Sequence, residues 1–207
     1  MAKVDAVILD AAADRGFVDP ITALPPRGET GLSSLLSIYH QQGRIDWSLV
    51  KLYKANYMPT EELASDLFSN GGTLCAEYPL FFDPNNKADT DSRGGMRPDF
   101  MYMSADQRVV ALIENKIGAD DTHKSDEYGG QMGRYIQYLV ESSVVCPYVI
   151  LLTSQFFLSK SPPWYATEFQ ESVNLHGSEG KVKCRIIVWE EILRAFSPPL
   201  SSPNSSL

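Results

Sequence analysis

Five consecutive apolar residues, Val109-Val110-Ala111-Leu112-Ile113, run without interruption into Glu114-Asn115-Lys116. An unbroken apolar stretch of this kind predicts a strand buried on both faces, and such strands belong in the middle of a covered sheet. Where the strand turns polar, it emerges at a cleft. A second apolar segment, Phe100 to Met103, precedes it across the polar Ser104-Ala105-Asp106-Gln107, and together they read as a β-hairpin.

The two-residue period of a strand puts Glu114 and Lys116 on one face and Asn115 on the other. With an even loop centred between Ala105 and Asp106, Asp99 lies opposite Leu112 and becomes a diagonal neighbour of Glu114, with Cβ atoms roughly 7–8 Å apart. An odd loop reverses the parity and sends the two acids to opposite faces.

Two carboxylates on one face suit a hard cation, because Mg²⁺ takes oxygen ligands and is commonly held by one or two carboxylates plus substrate phosphate. Asp99 and Glu114 supply the carboxylates, and the main-chain carbonyl of Asn115 is a candidate third oxygen. Such an ion acidifies water and offsets charge on phosphoryl oxygens. Lys116, on the same face, is placed to orient or deprotonate that water or to neutralise the phosphate. Spacing alone carries little weight, since Glu179-Gly180-Lys181 repeats it inside a Gly-rich segment that no strand fixes. A salt bridge at a strand end would produce the same pattern.

Pro98-Asp99 followed by Glu114-Asn115-Lys116 resembles the PD-(D/E)XK nuclease superfamily. The resemblance extends through Ile113-Glu114-Asn115-Lys116-Ile117-Gly118-Ala119 and a polar stretch to Gln131-Met132-Gly133-Arg134-Tyr135. This is similar to a branch of small stand-alone members in which a glutamine and a tyrosine, four residues apart, follow the lysine strand on a helix. Gln131 and Tyr135 match those positions, and at i and i+4 they share a helix face. The resemblance implies an α/β (α+β) fold with a restriction-endonuclease-like core, a mixed sheet containing an antiparallel meander flanked by helices. It implies Mg²⁺, or Mn²⁺ in its place, as cofactor, and nucleic acid as substrate, DNA ahead of RNA. The activity implied is phosphodiester hydrolysis, of the sort used in restriction, phage defence or repair. A nuclease-fold binding or scaffold module without catalysis is the alternative.

The core so implied spans residues 59–196, between an N-terminal helical extension over residues 1–58 and a Ser/Pro-rich tail over residues 197–207. Its expected elements are a helix from Thr60 to about Gly71, strands at about Thr73–Phe82, Asp99–Met103 and Val109–Glu114, and a helix at about Tyr128–Ser142. A strand at Tyr148–Thr153, another at Val182–Trp189 and a short helix at Glu190–Phe196 complete it. In the family an acid on the first core helix commonly helps hold the metal, and Glu61 is the matching position. Glu62 is the runner-up and Glu77, on the first strand, a more distant candidate, and acids in a first helical turn are favoured by the helix dipole in any case.

A formal net charge of −8 sits poorly with nucleic-acid binding, which usually relies on basic surface. Local cations would then matter, and Arg93, Arg97 and Arg134, with Lys87 and Lys124, cluster in sequence around the proposed site. Arg93 lies in the polar loop from Asp83 to Gly95, long for a hairpin connection. Cys75, Cys146 and Cys184 are odd in number and far apart, which suits reduced core cysteines in a cytoplasmic protein. The three histidines show no zinc-ligand spacing. No apolar run approaches the ~20 residues of a membrane span, so no membrane association is expected. Leu32–Gln41 and Trp47–Asn56, the latter capped by Asp46, read as amphipathic helices. Packing on the core, a homodimer face and a protein-partner face are all open to them.

Overall fold

The computed structural model describes residues 28–68, 71–76, 98–116, 130–141, 148–155 and 181–196. Readings that concern residues 1–27, the strand beyond Ala76, the loops at 83–95 and 117–128, and the tail from 197 lie outside them. So do Arg93, Arg97 and Cys146.

The described residues open with helix α1 (Gly28–Gln41), a 3-10 turn (Trp47–Leu49), strands β1 (Lys51–Lys54) and β2 (Pro59–Leu63), and the single-turn helix α2 (Ala64–Leu67). Strands β3 (Thr73–Ala76), β4 (Phe100–Met103) and β5 (Val109–Lys116) follow. Helix α3 (Gly130–Glu141), strands β6 (Tyr148–Thr153) and β7 (Lys183–Val188), and helix α4 (Trp189–Ala195) complete the described residues. The seven described strands form one sheet in the order β2-β1-β7-β6-β5-β4-β3. β3, β4 and β5 are an antiparallel meander, β5, β6 and β7 run parallel, and β1 and β2 are antiparallel additions beyond β7. The protein is therefore a mixed α/β structure with a mixed sheet flanked by helices.

The apolar runs that predicted central strands occupy the centre. Every residue of β6 is buried, and so is Ala111 to Asn115 of β5. Helices cover both faces, which removes the need for alternation along these strands. On one face, α3 presents Met132, Tyr135, Ile136 and Leu139, spaced as a helical stripe, against Leu112, Leu151 and Ile186. On the other, Leu32, Leu36 and Tyr39 of α1 join Trp189 and Ile192 of α4 over Ile113, Ile150 and Ile187.

Two expected helices are replaced by strands. Asp46 does cap a helical turn, accepting from the Ser48 N–H at 3.1 Å, but the turn ends at Leu49. Val50 and Leu52, both fully buried, then alternate with exposed Lys51, the pattern of a strand rather than a helix. Thr60 does not start a helix. Its hydroxyl donates to the Leu52 carbonyl at 2.6 Å, stitching β2 to β1. Helical geometry begins at Ala64, where Asp66 accepts from the Leu63 N–H at 3.1 Å. Consequently the boundary at residue 58 cuts the β1–β2 hairpin, in which Tyr53 pairs with Pro59, and β1 is an interior strand beside β7.

The parity of the β4–β5 hairpin is decided by a bulge. Met103 pairs with Val109, leaving residues 104–108 as an odd connection, which by itself would separate Asp99 from Glu114. The register then slips by one between Met103 and Tyr102, so that Tyr102 faces Ala111 and Phe100 faces Ile113. Loop and bulge cancel. Continuing the register one step puts Asp99 opposite Glu114, closer than the expected diagonal.

Candidate acidic site at the end of strand β5

Glu114 lies at the end of β5 on the face covered by α3 and is 2 % exposed. A carboxylate at such depth requires partners for both oxygens. Oε1 pairs with Lys116 Nζ at 2.5 Å. Oε2 accepts from the Tyr135 hydroxyl at 2.8 Å and from Gln131 Nε2 at 2.9 Å. Gln131 Nε2 also reaches the Tyr135 hydroxyl at 2.8 Å, closing a triangle. The i, i+4 spacing on α3 thus delivers both groups to one oxygen, with Tyr135 fully buried and Gln131 exposed at the rim.

Asp99 completes the acidic pair from the neighbouring chain segment. Its Oδ2 accepts the main-chain N–H of Asn115 at 2.7 Å, so the peptide between Glu114 and Asn115 links the two acids directly. Burial pushes the Glu114 carboxyl up to about 7, and the nearby Asp99 charge adds to the rise. Lys116 and the Tyr135 hydroxyl oppose it by favouring the ionised form. The Tyr135 hydroxyl is itself held well above the ordinary phenol range, chiefly by burial and then by the Glu114 charge.

Asn115 points the other way, as strand alternation requires. Its side chain is fully buried between Ser33 of α1 and Trp189 of α4. Any role in binding an ion falls to its main chain, as the sequence reading had it. Thr153, the last residue of β6, donates its hydroxyl to the Lys116 carbonyl at 2.7 Å and fastens the end of β5.

The structure therefore gathers Asp99, Glu114, Lys116, Gln131 and Tyr135. Arg134 lies on the same helix as Gln131 and Tyr135 and is half-buried. Glu61 does not join. It is exposed on β2, with β1, β7 and β6 between it and β5, four strand spacings or roughly 19 Å away. The expected helix at Thr60 is replaced here by β2 (Pro59–Leu63), which carries Glu61 away from the site. Glu62 is committed elsewhere, to Lys183 Nζ at 3.0 Å and Arg185 Nε at 2.7 Å. Among the described residues no group of three or more His, Cys, Asp or Glu side chains converges as a metal cluster.

Sequence reasoning did not single out Ser33, Thr153 or Trp189. For Ser33 a signal existed: Ser33 and Ser37 sit four apart beside Leu32 and Leu36, on the buried stripe of α1. Ser37 bonds the Leu74 carbonyl of β3 at 2.5 Å, so both serines pin the helix to the sheet.

Fold and site together define a mixed α/β protein with a buried acid–lysine–tyrosine cluster at the end of a central parallel strand. Comparison with protein-family models, with curated proteins and with solved structures gives no match. Among the described residues no helix is long and apolar enough to cross a membrane.

Proposed function

We propose that this chain is a Mg²⁺-dependent nuclease that hydrolyses phosphodiester bonds, in DNA ahead of RNA. The observation that carries this reading is the pairing of Asp99 with Glu114 through the Asn115 N–H, with Lys116 Nζ on Oε1 of the Glu114 carboxylate. The meander β3–β4–β5, followed by α3 and a parallel β6, supports the restriction-endonuclease-like reading of the core.

The donor set suits a divalent cation. Two hard carboxylates lie together, with one lysine as the described counter-charge, and their repulsion is part of what raises Glu114. Asp99 and Glu114 would hold the ion, with Mn²⁺ an acceptable substitute. When bound, it would supply Lewis-acid polarisation of the phosphoryl oxygen and acidification of water. Gln131 and Tyr135 fix Oε2 so that the carboxylate cannot swing. Lys116 presents Nζ where it can orient the attacking water and offset charge on the phosphate. Arg134, with Arg93 and Arg97, would serve a neighbouring phosphate.

The test incubates purified protein with supercoiled, linear and single-stranded DNA, and with RNA, in Mg²⁺ or Mn²⁺, beside Glu114→Ala and Lys116→Ala. Wild-type nicking with a loss of about 100-fold or more in both variants is expected. Equal nicking by all three, or none by any, overturns the proposal. A binding or scaffold module then remains, the class that the net charge of −8 favours.

A further inference from the structure

Asn115 occupies an unusual mechanical position. Beyond Ile113, the described pairing of β5 with β4 ends, while pairing with β6 continues through Glu114–Leu151, Asn115–Leu152 and Lys116–Thr153. On its β4 side the segment is held by a side chain, Asp99, through the Asn115 N–H. The side chain of Asn115 holds the same residue from the opposite face of the sheet. Its Nδ2 donates to Ser33 Oγ at 3.3 Å, and its Oδ1 accepts from Trp189 Nε1 at 2.9 Å. Asn115 and Ser33 are fully buried and Trp189 nearly so, where an unmade polar contact is costly.

We propose that Ser33 and Trp189 are positioning residues for the acidic site, acting through the Asn115 amide to set the orientation of Glu114 and Lys116. Neighbours on a strand share peptide planes and point to opposite faces. A roll of Asn115 toward one side swings Glu114 and Lys116 toward the other, and it also breaks the N–H bond to Asp99. The clamp restrains all three active groups from the far side of the sheet. Helix α1 and the first turn of α4 are then working parts of the site. The catalytic consequence rests on the nuclease reading, whereas the clamp does not.

The experiment measures amide hydrogen exchange by NMR in wild type, Ser33→Ala, Trp189→Phe and Ser33→Thr, with cleavage kinetics in parallel. Exchange at the Asn115 N–H should accelerate about 10-fold or more in Ser33→Ala and Trp189→Phe relative to Leu112 in the same strand. Ser33→Thr, which keeps the hydroxyl, should restore protection. Cleavage by the first two should lose about 10-fold or more in kcat with little change in KM, since small misplacements of reacting groups are costly. Their double variant should lose less than the product of the single effects, because both act on one amide. Unchanged exchange at Asn115, or equal acceleration at Leu112, overturns the proposal, as does an unchanged kcat in a wild type that cleaves. Selective exchange in a protein that cleaves nothing upholds the clamp and removes the nuclease reading alone.

Discussion

The Tyr135 hydroxyl donates to Glu114 Oε2 at 2.8 Å from a ring with no exposed surface. A phenol so placed contributes to stability as well as orientation, because it serves a carboxylate that water hardly reaches. Tyr135→Phe keeps the ring and removes only the donor. Urea unfolding should show a loss of about 1–3 kcal/mol. A carbon-detected titration should find the Glu114 carboxyl moved further up, since the lost bond favoured the ionised form.

The raised Glu114 carboxyl sets a pH dependence in the metal-free protein. Its ordinary value is 4.5 and its folded value about 7, so between them the folded chain holds a proton that the unfolded chain releases. The stabilisation is fully present below 4.5 and is lost as pH rises through 7, a total on the order of 3 kcal/mol. Glu62 has the opposite sign, because the Arg185 guanidinium, aided by Lys183, holds its carboxyl low. Its stabilisation is present above the unfolded value and lost as pH falls. Denaturant midpoints measured from pH 4 to 8 in chelator should decline across the upper window. In Glu114→Gln that decline should vanish while the acid-side loss stays.

Divalent ions should reverse the same trend. An ion bound by Asp99 and Glu114 favours their ionised forms and stabilises the fold by mass action, about 2.7 kcal/mol at a hundredfold excess over Kd. Thermal unfolding with and without Mg²⁺ at pH 7.5 should show the rise in wild type and none in Asp99→Asn or Glu114→Gln. An equal rise in all three would place the binding elsewhere.

Gly72 is required by a close approach. A Cβ there would lie 1.9 Å from the Tyr102 hydroxyl and 2.3 Å from its ring, and Tyr102 is fully buried. Gly72→Ala should therefore cost about 1–3 kcal/mol in chemical unfolding. Gly71, with φ of +88° and its nearest obstacle at 3.6 Å, offers a contrast. There the strain is in the backbone, and Gly71→Asn should cost less than Gly71→Ala, because asparagine tolerates the left-handed region better.

What the sequence revealed, and what it hid, follows from the range of the forces involved. β5 and β6 were legible because burial on both faces writes an uninterrupted apolar run, and α3 came with the resemblance, through the i, i+4 pair Gln131 and Tyr135. The face shared by Asp99 and Glu114 was anticipated, but for a reason that held only through two compensating irregularities. An odd connection and a one-residue bulge leave no mark that sequence parity can read. Thr60 misled because its hydroxyl has the chemistry of a helix cap, while the partner it finds is a carbonyl on the adjacent strand. Glu61 was lost with that helix. Asn115 could be assigned a face, but that Ser33 and Trp189 meet it there is a relation between residues 82 and 74 positions away.

The sheet is closed by opposite ends of the described chain, since β1 meets β7 with Tyr53 opposite Ile186. On the ribosome, the β1–β2 hairpin emerges long before the strand it must join. Until residue 188 has left the exit tunnel, β1 carries an open hydrogen-bonding edge and the sheet lacks the strand that links its two halves. Completion of the sheet thus waits for β7 to be made, with slow, long-range closure and a window in which that edge can recruit another chain.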